Sequence, residues 1–589
     1  MQPEHIQKKN LLISIALIAI LGLAVYSNSL NGKFIWDDEF LVEKNVCIKD
    51  FSNIKKVIVE NITVLEERKW SSYRPLQIFT YMIDYSLWKL DVRGYHLTNI
   101  LLHILVALGI FWLVNILFKD TFLSFLSSIF FIVHPIHAGP TNYISARANS
   151  LAAIFMLLTL IFYIKSLHIK KPTLYLVMIL SYIASLLSRE LSLILPILLL
   201  LYHYIFKKKI KLKLFLSILV ITFIYILTRL TILKTSFTPL VVSSTLLERL
   251  PGFFVAITSY IRLLFLPFDL HMEYGMKLFD LTDPRVTIGF LLFTLPLIYG
   301  FKTQKSNKLI LFSALWFFVL LLPVSNLYPV NAYMSEGWLY LPSIGFFLLL
   351  GKGISHLYRT KRFRIFTIIL TIALLSFYSS LTIKENTYWR EPIAFYERTL
   401  RYAPDSARIH YNLGKLYYNI GNKEKAVSLY KKAIQIKPDY GEAYNNLGNA
   451  YYYVGKIKEA IPLFEKAIQL NPDYFKSYNN LAGAYYNIGK REESIALFKK
   501  AIKIKPRFIE AHYNLGAAYK DLGNNKEAIS SYKKVLEIDP NYIEAYFDLS
   551  VVYFREEQYD LAIKYCDRVI KLGFKVSPDF LEKLKPHRK

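Results

Sequence analysis

Phe34-Ile35-Trp36-Asp37-Asp38-Glu39 sets three carboxylates side by side just past the first long apolar stretch of the chain. A carboxylate held beside a bilayer, in reach of a bound substrate, can act as a general base. Such a base contributes typically about 10²–10⁴-fold to a proton-transfer step. Asp37 and Asp38 are the candidate catalytic pair, with Glu39 in support. Acids spaced this way also admit Mg²⁺. The plain alternative is that they cap the first turn of a loop helix. Complementary chemistry stands in Tyr73-Arg74-Pro75-Leu76, in Arg147 and in Arg189-Glu190. The planar guanidinium fork suits a phosphate or pyrophosphate, so Arg147, Arg189 and Arg74 are the candidate phosphate ligands. His134, His137, Glu190 and Glu336 add supporting polar groups. With no third ligand near the two histidines, hydrogen bonding at a helix end is expected of them rather than a metal site.

The elements that must position these groups are membrane helices. The chain has 589 residues, 54% of them hydrophobic, and its apolar runs end near residue 384. Runs of membrane length fall at 11–30, 95–118, 121–138, 150–167, 173–188, 191–206, 212–233, 286–301, 309–324, 338–355 and 363–383, about eleven spans. Lys8/Lys9, Lys170/Lys171, Lys207-Lys208-Lys209, Lys302/Lys305/Lys308 and Arg359/Lys361/Arg362/Arg364 then share one side, which the positive-inside rule makes cytoplasmic. Counting Pro251–Leu270 as a further span would break that rule, so it is expected to be re-entrant or to lie along the surface. The first run is expected to be a retained helix, since Asn28-Ser29-Leu30-Asn31 leads straight into the carboxylates. The amino terminus is then inside. The loop at 31–94, the loop at 234–285 and everything after about residue 384 lie outside. The net charge of +28 would suit nucleic acid, but much of it lies in those short topogenic clusters, which argues against that partner. With two cysteines, Cys47 and Cys566, a disulfide framework is not expected; Cys566 is expected to be a buried apolar residue.

Beyond the membrane part of 1–389, residues 390–576 form a repeat array, with a tail at 577–589. Five segments of 34 residues run from 407 to 576 without a gap, after a half repeat at 391–405. Leu413-Gly414, Leu447-Gly448, Leu481-Ala482, Leu515-Gly516 and Leu549-Ser550 recur in register. Tyr417, Tyr451, Tyr485, Tyr519 and Tyr553 follow three residues later, and Pro438, Pro472, Pro506 and Pro540 close four of the repeats. This period and pattern resemble the tetratricopeptide repeat, an all-α solenoid in which each repeat buries a face only against its neighbours. Asn412, Asn446, Asn480 and Asn514, with Asp548 in the fifth repeat, form a ladder. An amide offers both a donor and an acceptor, so it can pair with a peptide backbone regardless of sequence. The ladder is the candidate acceptor-peptide site, and the alternative is that Asn is simply common at this position.

The whole chain resembles the transmembrane and tetratricopeptide-repeat O-mannosyltransferase family and its bacterial relatives. The matching stretches are Phe34-Ile35-Trp36-Asp37-Asp38, Tyr73-Arg74-Pro75-Leu76, Tyr95-His96-Leu97-Thr98-Asn99 with His103, His134-Pro135-Ile136-His137 and Leu339-Tyr340-Leu341-Pro342-Ser343. The resemblance implies an all-α, C-type glycosyltransferase membrane fold, a polyprenyl-phosphate sugar as donor, and Asp37 and Asp38 at the family's acidic positions. Two departures stand out: Glu336 is followed by Gly337, where a basic residue is usual, and no acid follows Arg147. The expectation is inverting transfer of a hexose to Ser/Thr hydroxyls of exported proteins, with the repeats holding the acceptor. The competing readings are a lipid or cell-surface glycan acceptor, and a membrane-anchored scaffold. One anchor would serve a scaffold, so many spans with an acidic outer loop weigh against it. The Lys-, Ile-, Tyr- and Asn-rich composition suggests an AT-rich genome, and a bacterial inner membrane is the expected location.

Overall fold

The computed structural model describes residues 4–59, 73–231, 233, 244–275, 277–325, 327 and 332–588. Parts of the two expected outer loops, 60–72 and 234–243, lie outside the described residues, as does 232 at the end of one expected span. The described residues are helical, with no strand among them, and fall into two units, Met1–Pro404 and Asp405–Lys589.

In the first unit, α1 (Glu4–Tyr26) leads to the carboxylate loop, a short α2 (Ile54–Val59) and α3 (Pro75–Trp88). Then follow α4 (Val92–Phe118), α5 (Thr121–Val133), the short α6 (Ala138–Asn142), α7 (Arg147–His168), α8 (Pro172–Ser188), α9 (Leu195–Phe206) and α10 (Leu212–Thr231). The unit continues through α11 (Leu246–Phe265), α12 (Pro284–Thr303), α13 (Lys308–Leu321), α14 (Ser343–Arg359), α15 (Arg364–Arg390) and α16 (Pro392–Tyr402). Each run expected to span falls largely on helix among the described residues. Six helices among the described residues are long and apolar enough to cross a membrane alone, and α5 with α6 makes a seventh if their 57° bend is one broken span. The chain is thus a multi-pass helical membrane protein. The bend follows from Pro135, which cannot donate into the preceding turn; His134 is extended there, and its ring accepts from the Ile136 amide. Glycine permits the closest helix approaches: a Cβ on Gly289 of α12 would sit 2.0 Å from the Phe254 carbonyl of α11. The segment expected to be re-entrant is α11, a 20-residue helix opened by a Thr245–Glu248 capping box and packed along α12.

The boundary between units falls after Pro404 rather than at 389. The expected half repeat, α16, packs into the membrane unit, where Phe395 and Tyr396 meet Trp36 of the carboxylate loop. The second unit holds ten repeat helices in pairs: α17 (Ala407–Asn419) with α18 (Lys423–Ile436), α19 (Gly441–Tyr453) with α20 (Ile457–Leu470), and α21 (Phe475–Asn487) with α22 (Arg491–Ile504). They continue as α23 (Ile509–Asp521) with α24 (Asn525–Ile538) and α25 (Ile543–Arg555) with α26 (Tyr559–Lys571), before α27 (Pro578–Leu584). The repeat pattern has a packing cause. A Cβ on Gly414, Gly448 or Gly516 would lie 2.7 Å from the ring of Tyr430, Phe464 or Tyr532. In the fifth repeat Ser550 replaces the glycine and the buried Cys566 replaces the ring. The turn within each pair needs a left-handed residue, supplied by Gly421, Gly455, Gly489 and Gly523, and by Glu557 (φ 57°) in the fifth.

Candidate active site

The turn after α1 is pinned from both ends of the membrane unit. Asn386 of α15 donates to the Val25 carbonyl (2.9 Å) and to Asn28 (2.8 Å), while Asn142 donates to Asn386 (2.7 Å). Trp36 then takes a positive φ, and the two aspartates that follow meet different surroundings. Asp38 is buried. Its Oδ1 accepts from the Ser145 amide (2.7 Å) and from the Ser145 hydroxyl, and its Oδ2 accepts from the Ile35 amide (3.2 Å). Burial pushes its carboxyl up to about 7 against those hydrogen bonds, and neighbouring Asp37 raises it further. Asp37 is half-buried, and its Oδ2 accepts from the Tyr143 hydroxyl (2.9 Å). Asp37 is the less buried of the two aspartates. Asp38, expected as its catalytic partner, has both of its oxygens hydrogen-bonded by the chain's own donors. Glu39 is half-buried and pairs with Lys44.

Aromatic rings stand around Asp37. Trp36 stacks on Tyr396 (5.8 Å between centroids), Tyr143 stacks on Trp389 (6.0 Å), and Phe395 meets both tryptophans. Behind them the segment 143–145 is held by α3, where Gln77 donates to the Ser145 carbonyl and Tyr81 to the Ile144 carbonyl, each at 2.8 Å.

Arg147, expected to bind phosphate, is a core residue. It is fully buried and pairs with Asp84 at 2.6 Å. It donates to Asn99 (2.7 Å), Thr80 (3.2 Å) and the Tyr95 carbonyl (3.1 Å), and lies 4.7 Å from the centre of the Tyr81 ring. With its fork spent on α3 and α4, it is corrected from ligand to strut. A buried charge needs such partners, and the acid absent after Arg147 is supplied from α3 by Asp84.

The other two arginines do meet. Arg74 caps α3 one turn before Gln77 and approaches Glu190 at 3.7 Å, and Arg229 near the end of α10 reaches the same carboxylate at 3.1 Å. Arg189 is the neighbouring residue to Glu190, between α8 and the turn that opens α9. Three guanidiniums thus surround one carboxylate, a local excess of positive charge. Arg229 was missed in the sequence because it lies inside a run read only for its length.

The histidines are core residues as well. His134 pairs with the Leu264 carbonyl (3.1 Å), and His137 bridges the Phe131 carbonyl (2.7 Å) and the Ser343 hydroxyl (3.0 Å). Glu336 joins a separate cluster, accepting from the His271 amide (2.5 Å) and the Tyr274 hydroxyl (2.6 Å). Burial pushes it up to about 8. No group of three or more His, Cys, Asp or Glu side chains among the described residues converges to hold a metal.

In the repeat unit the Asn ladder is interlocked. Asn446 donates to Tyr411 (3.1 Å), Asn480 to Asn445 (2.9 Å) and Asn514 to Asn479 (3.1 Å), each 35 residues back, while Asp548 accepts from Tyr513 (2.8 Å) and Lys520 (2.5 Å). Asn412, in the first repeat, is half-buried. Part of the ladder's donor capacity therefore joins repeat to repeat.

Comparisons with known proteins follow the same two-part division. Tetratricopeptide-repeat family models match residues 407–440, 441–474 and 509–542, with further repeat models over 463–496, 483–523 and 531–564. Among solved structures, MamA is 27% identical over 27% of this chain and 94% of its own, at a TM-score of 0.26. Matches to curated proteins extend into the membrane unit. Protein O-mannosyl-transferase F38B6.6 of Caenorhabditis elegans is 28% identical over 428 residues, 69% of this chain and 60% of its own length. Protein O-mannosyl-transferase TMTC3 of Homo sapiens is 25% identical over 461 residues, 70% of this chain and 50% of its own. The chain spans about half to three-fifths of these relatives, and 69–70% of it is similar to these protein O-mannosyl-transferases.

Proposed function

We propose that this protein is a membrane glycosyltransferase that moves a hexose, mannose by the relatives' names, from a polyprenyl-phosphate carrier to Ser/Thr hydroxyls of exported polypeptides. The observation that carries this reading is the half-buried Asp37, held by Tyr143 within a ring of aromatic side chains and bracketed through α3 to a cluster of three arginines. The acceptor oxygen attacks the anomeric carbon, Asp37 takes the hydroxyl proton, and the carrier phosphate leaves with the bonding electrons, inverting the anomeric centre. Arg74, Arg189 and Arg229 hold the phosphate, where fixed positive charge stabilises what the leaving group gains. The half-buried Trp36 offers a flat face to the C–H side of a sugar ring, backed by the buried Tyr143 and Trp389. No step is routed through a metal ion. The basic clusters support a cytoplasmic amino terminus, with Asp37 and the repeats on the outer side of a bacterial inner membrane. The remaining valences of the Asn ladder serve the acceptor backbone.

The test compares wild type with Asp37→Asn in membranes, by intact-mass proteomics of exported proteins alongside analysis of extracted glycolipids. Loss of Ser/Thr-linked hexose by about 10²-fold or more, with normal expression, is expected. Loss confined to glycolipid moves the acceptor to lipid, and no change in either pool overturns the role of Asp37. Arg229→Gln is expected to weaken donor use while leaving expression intact, read as a raised KM for the lipid-linked sugar.

A further inference from the structure

The second helices of the last two repeats, α24 and α26, enclose with Tyr546 of α25 a recess of about 730 Å³. Its cations are Lys533, Lys564, Arg568 and Lys571, and its acids are Glu537 and Asp567. Both acids are neutralised by residues that do not line the recess: Glu537 by Lys534 and Asp567 by Arg588, each at 2.5 Å. The four cations keep their charge. Arg568 lies over Tyr546 and Lys533 over Tyr553, each 5.8 Å from the ring centre, and Tyr553 stacks on Tyr565 at 5.4 Å. The recess is thus positively charged over an aromatic floor.

The repeats supply their own internal comparison. The position of Lys564 is Ser428, Pro462, Ala496 and Ser530 in the other four repeats, and that of Tyr565 is Leu429, Leu463, Leu497 and Ser531. The position of Lys571 carries Gln435, Gln469, Lys503 and Glu537. A terminal repeat needs polar residues on its open face to stay soluble. That need does not call for a lysine and a tyrosine together on a helix that faces back toward the preceding repeat.

We propose that this recess docks an acidic stretch of polypeptide carrying an apolar or aromatic side chain, its carboxylates on the four cations and its apolar group on the tyrosine floor. Cations spread across a recess of this size exceed the reach of one phosphate, and their concave arrangement fits an extended chain better than a flat bilayer. The site's four cations lie on second helices, whereas the Asn ladder lies on first helices, so both can be occupied together. This inference does not rest on the transferase reading.

The test uses the full-length protein in detergent and a fluorescein-labelled peptide of alternating Glu and Phe, with binding read by fluorescence anisotropy. The isosteric Gln/Phe peptide is the control, and anionic vesicles are a separate arm. The double variant Lys564→Gln/Arg568→Gln is expected to weaken Glu/Phe binding by about tenfold or more. Lys458→Gln, outside the recess, should leave it unchanged, and added salt should weaken it because exposed charges are screened. Equal binding of the Gln/Phe peptide, indifference to the double variant, or vesicle binding in place of peptide binding each overturns the proposal.

Discussion

Asp37 and Asp38 are adjacent in sequence yet differ in duty because one backbone turn sends them to different partners. Tyr143→Phe removes the hydroxyl that positions Asp37 and keeps the ring; it is expected to lower turnover by about tenfold, since a net hydrogen bond to a charged group is worth about 1.5–3 kcal/mol. A KM for donor close to wild type would mark the effect as positioning. Asp38 and Glu336 share a pH signature. Both carboxyls are held above their unfolded values, so the folded state binds protons that the unfolded state has released. Their stabilisation is full below about pH 4, and it is lost as pH climbs through about 7 for Asp38 and about 8 for Glu336. For Asp38 the change is of order 4 kcal/mol across that window. Thermal unfolding at pH 5 and pH 8.5 should show the acidic condition more stable, and Asp38→Asn should shrink the difference. In the repeats, Glu557 holds the left-handed turn that glycine fills elsewhere. Glu557→Gly is expected to stabilise the array by about 1 kcal/mol, read as a raised Tm.

Among the elements, α3 has the largest share in building the site. Arg74 caps it, Gln77 in its first turn and Tyr81 in its second hold the 143–145 segment, and Asp84 in its third meets Arg147. Arg147→Ala strands a buried carboxylate and is expected to cost about 3–5 kcal/mol, seen as a lower thermal midpoint and reduced yield. A mere phosphate ligand would lose donor affinity at unchanged stability. The sequence made Asp37, Arg74 and Arg189 legible because polar residues at helix ends stand out against apolar runs. It hid Asp84, Tyr143 and Arg229. Asp84 lies in a mixed stretch with no motif, Tyr143 is one tyrosine among 44, and Arg229 passed as a charge at the end of a span. It also misled over Arg147, since exposure at a helix start and burial against a neighbouring helix look alike in one dimension. The repeat helices were legible almost residue for residue, because a local period dictates local packing. The membrane helices were legible in place, whereas their pairings depend on contacts hundreds of residues apart.

At the scale of the molecule, the repeat unit behaves as a row of nearest-neighbour contacts, and its Asn ladder adds a side-chain bond at each junction. Asn480→Ala is expected to lower array stability by about 0.5–1.5 kcal/mol, measured as a shifted denaturation midpoint. The membrane unit is built differently. Asn28, in the turn after the first helix, meets Asn386 of the last one across 358 positions of chain. During synthesis at about 5–20 residues per second, the carboxylate loop must wait roughly 20–70 s for its partner to leave the ribosome. Until Asn386 and Trp389 arrive, nothing from α15 fastens the turn before Asp37. On the proposed reading, a nascent chain completes its aspartate site only when its last membrane helix is in place, so its maturation is timed by translation itself.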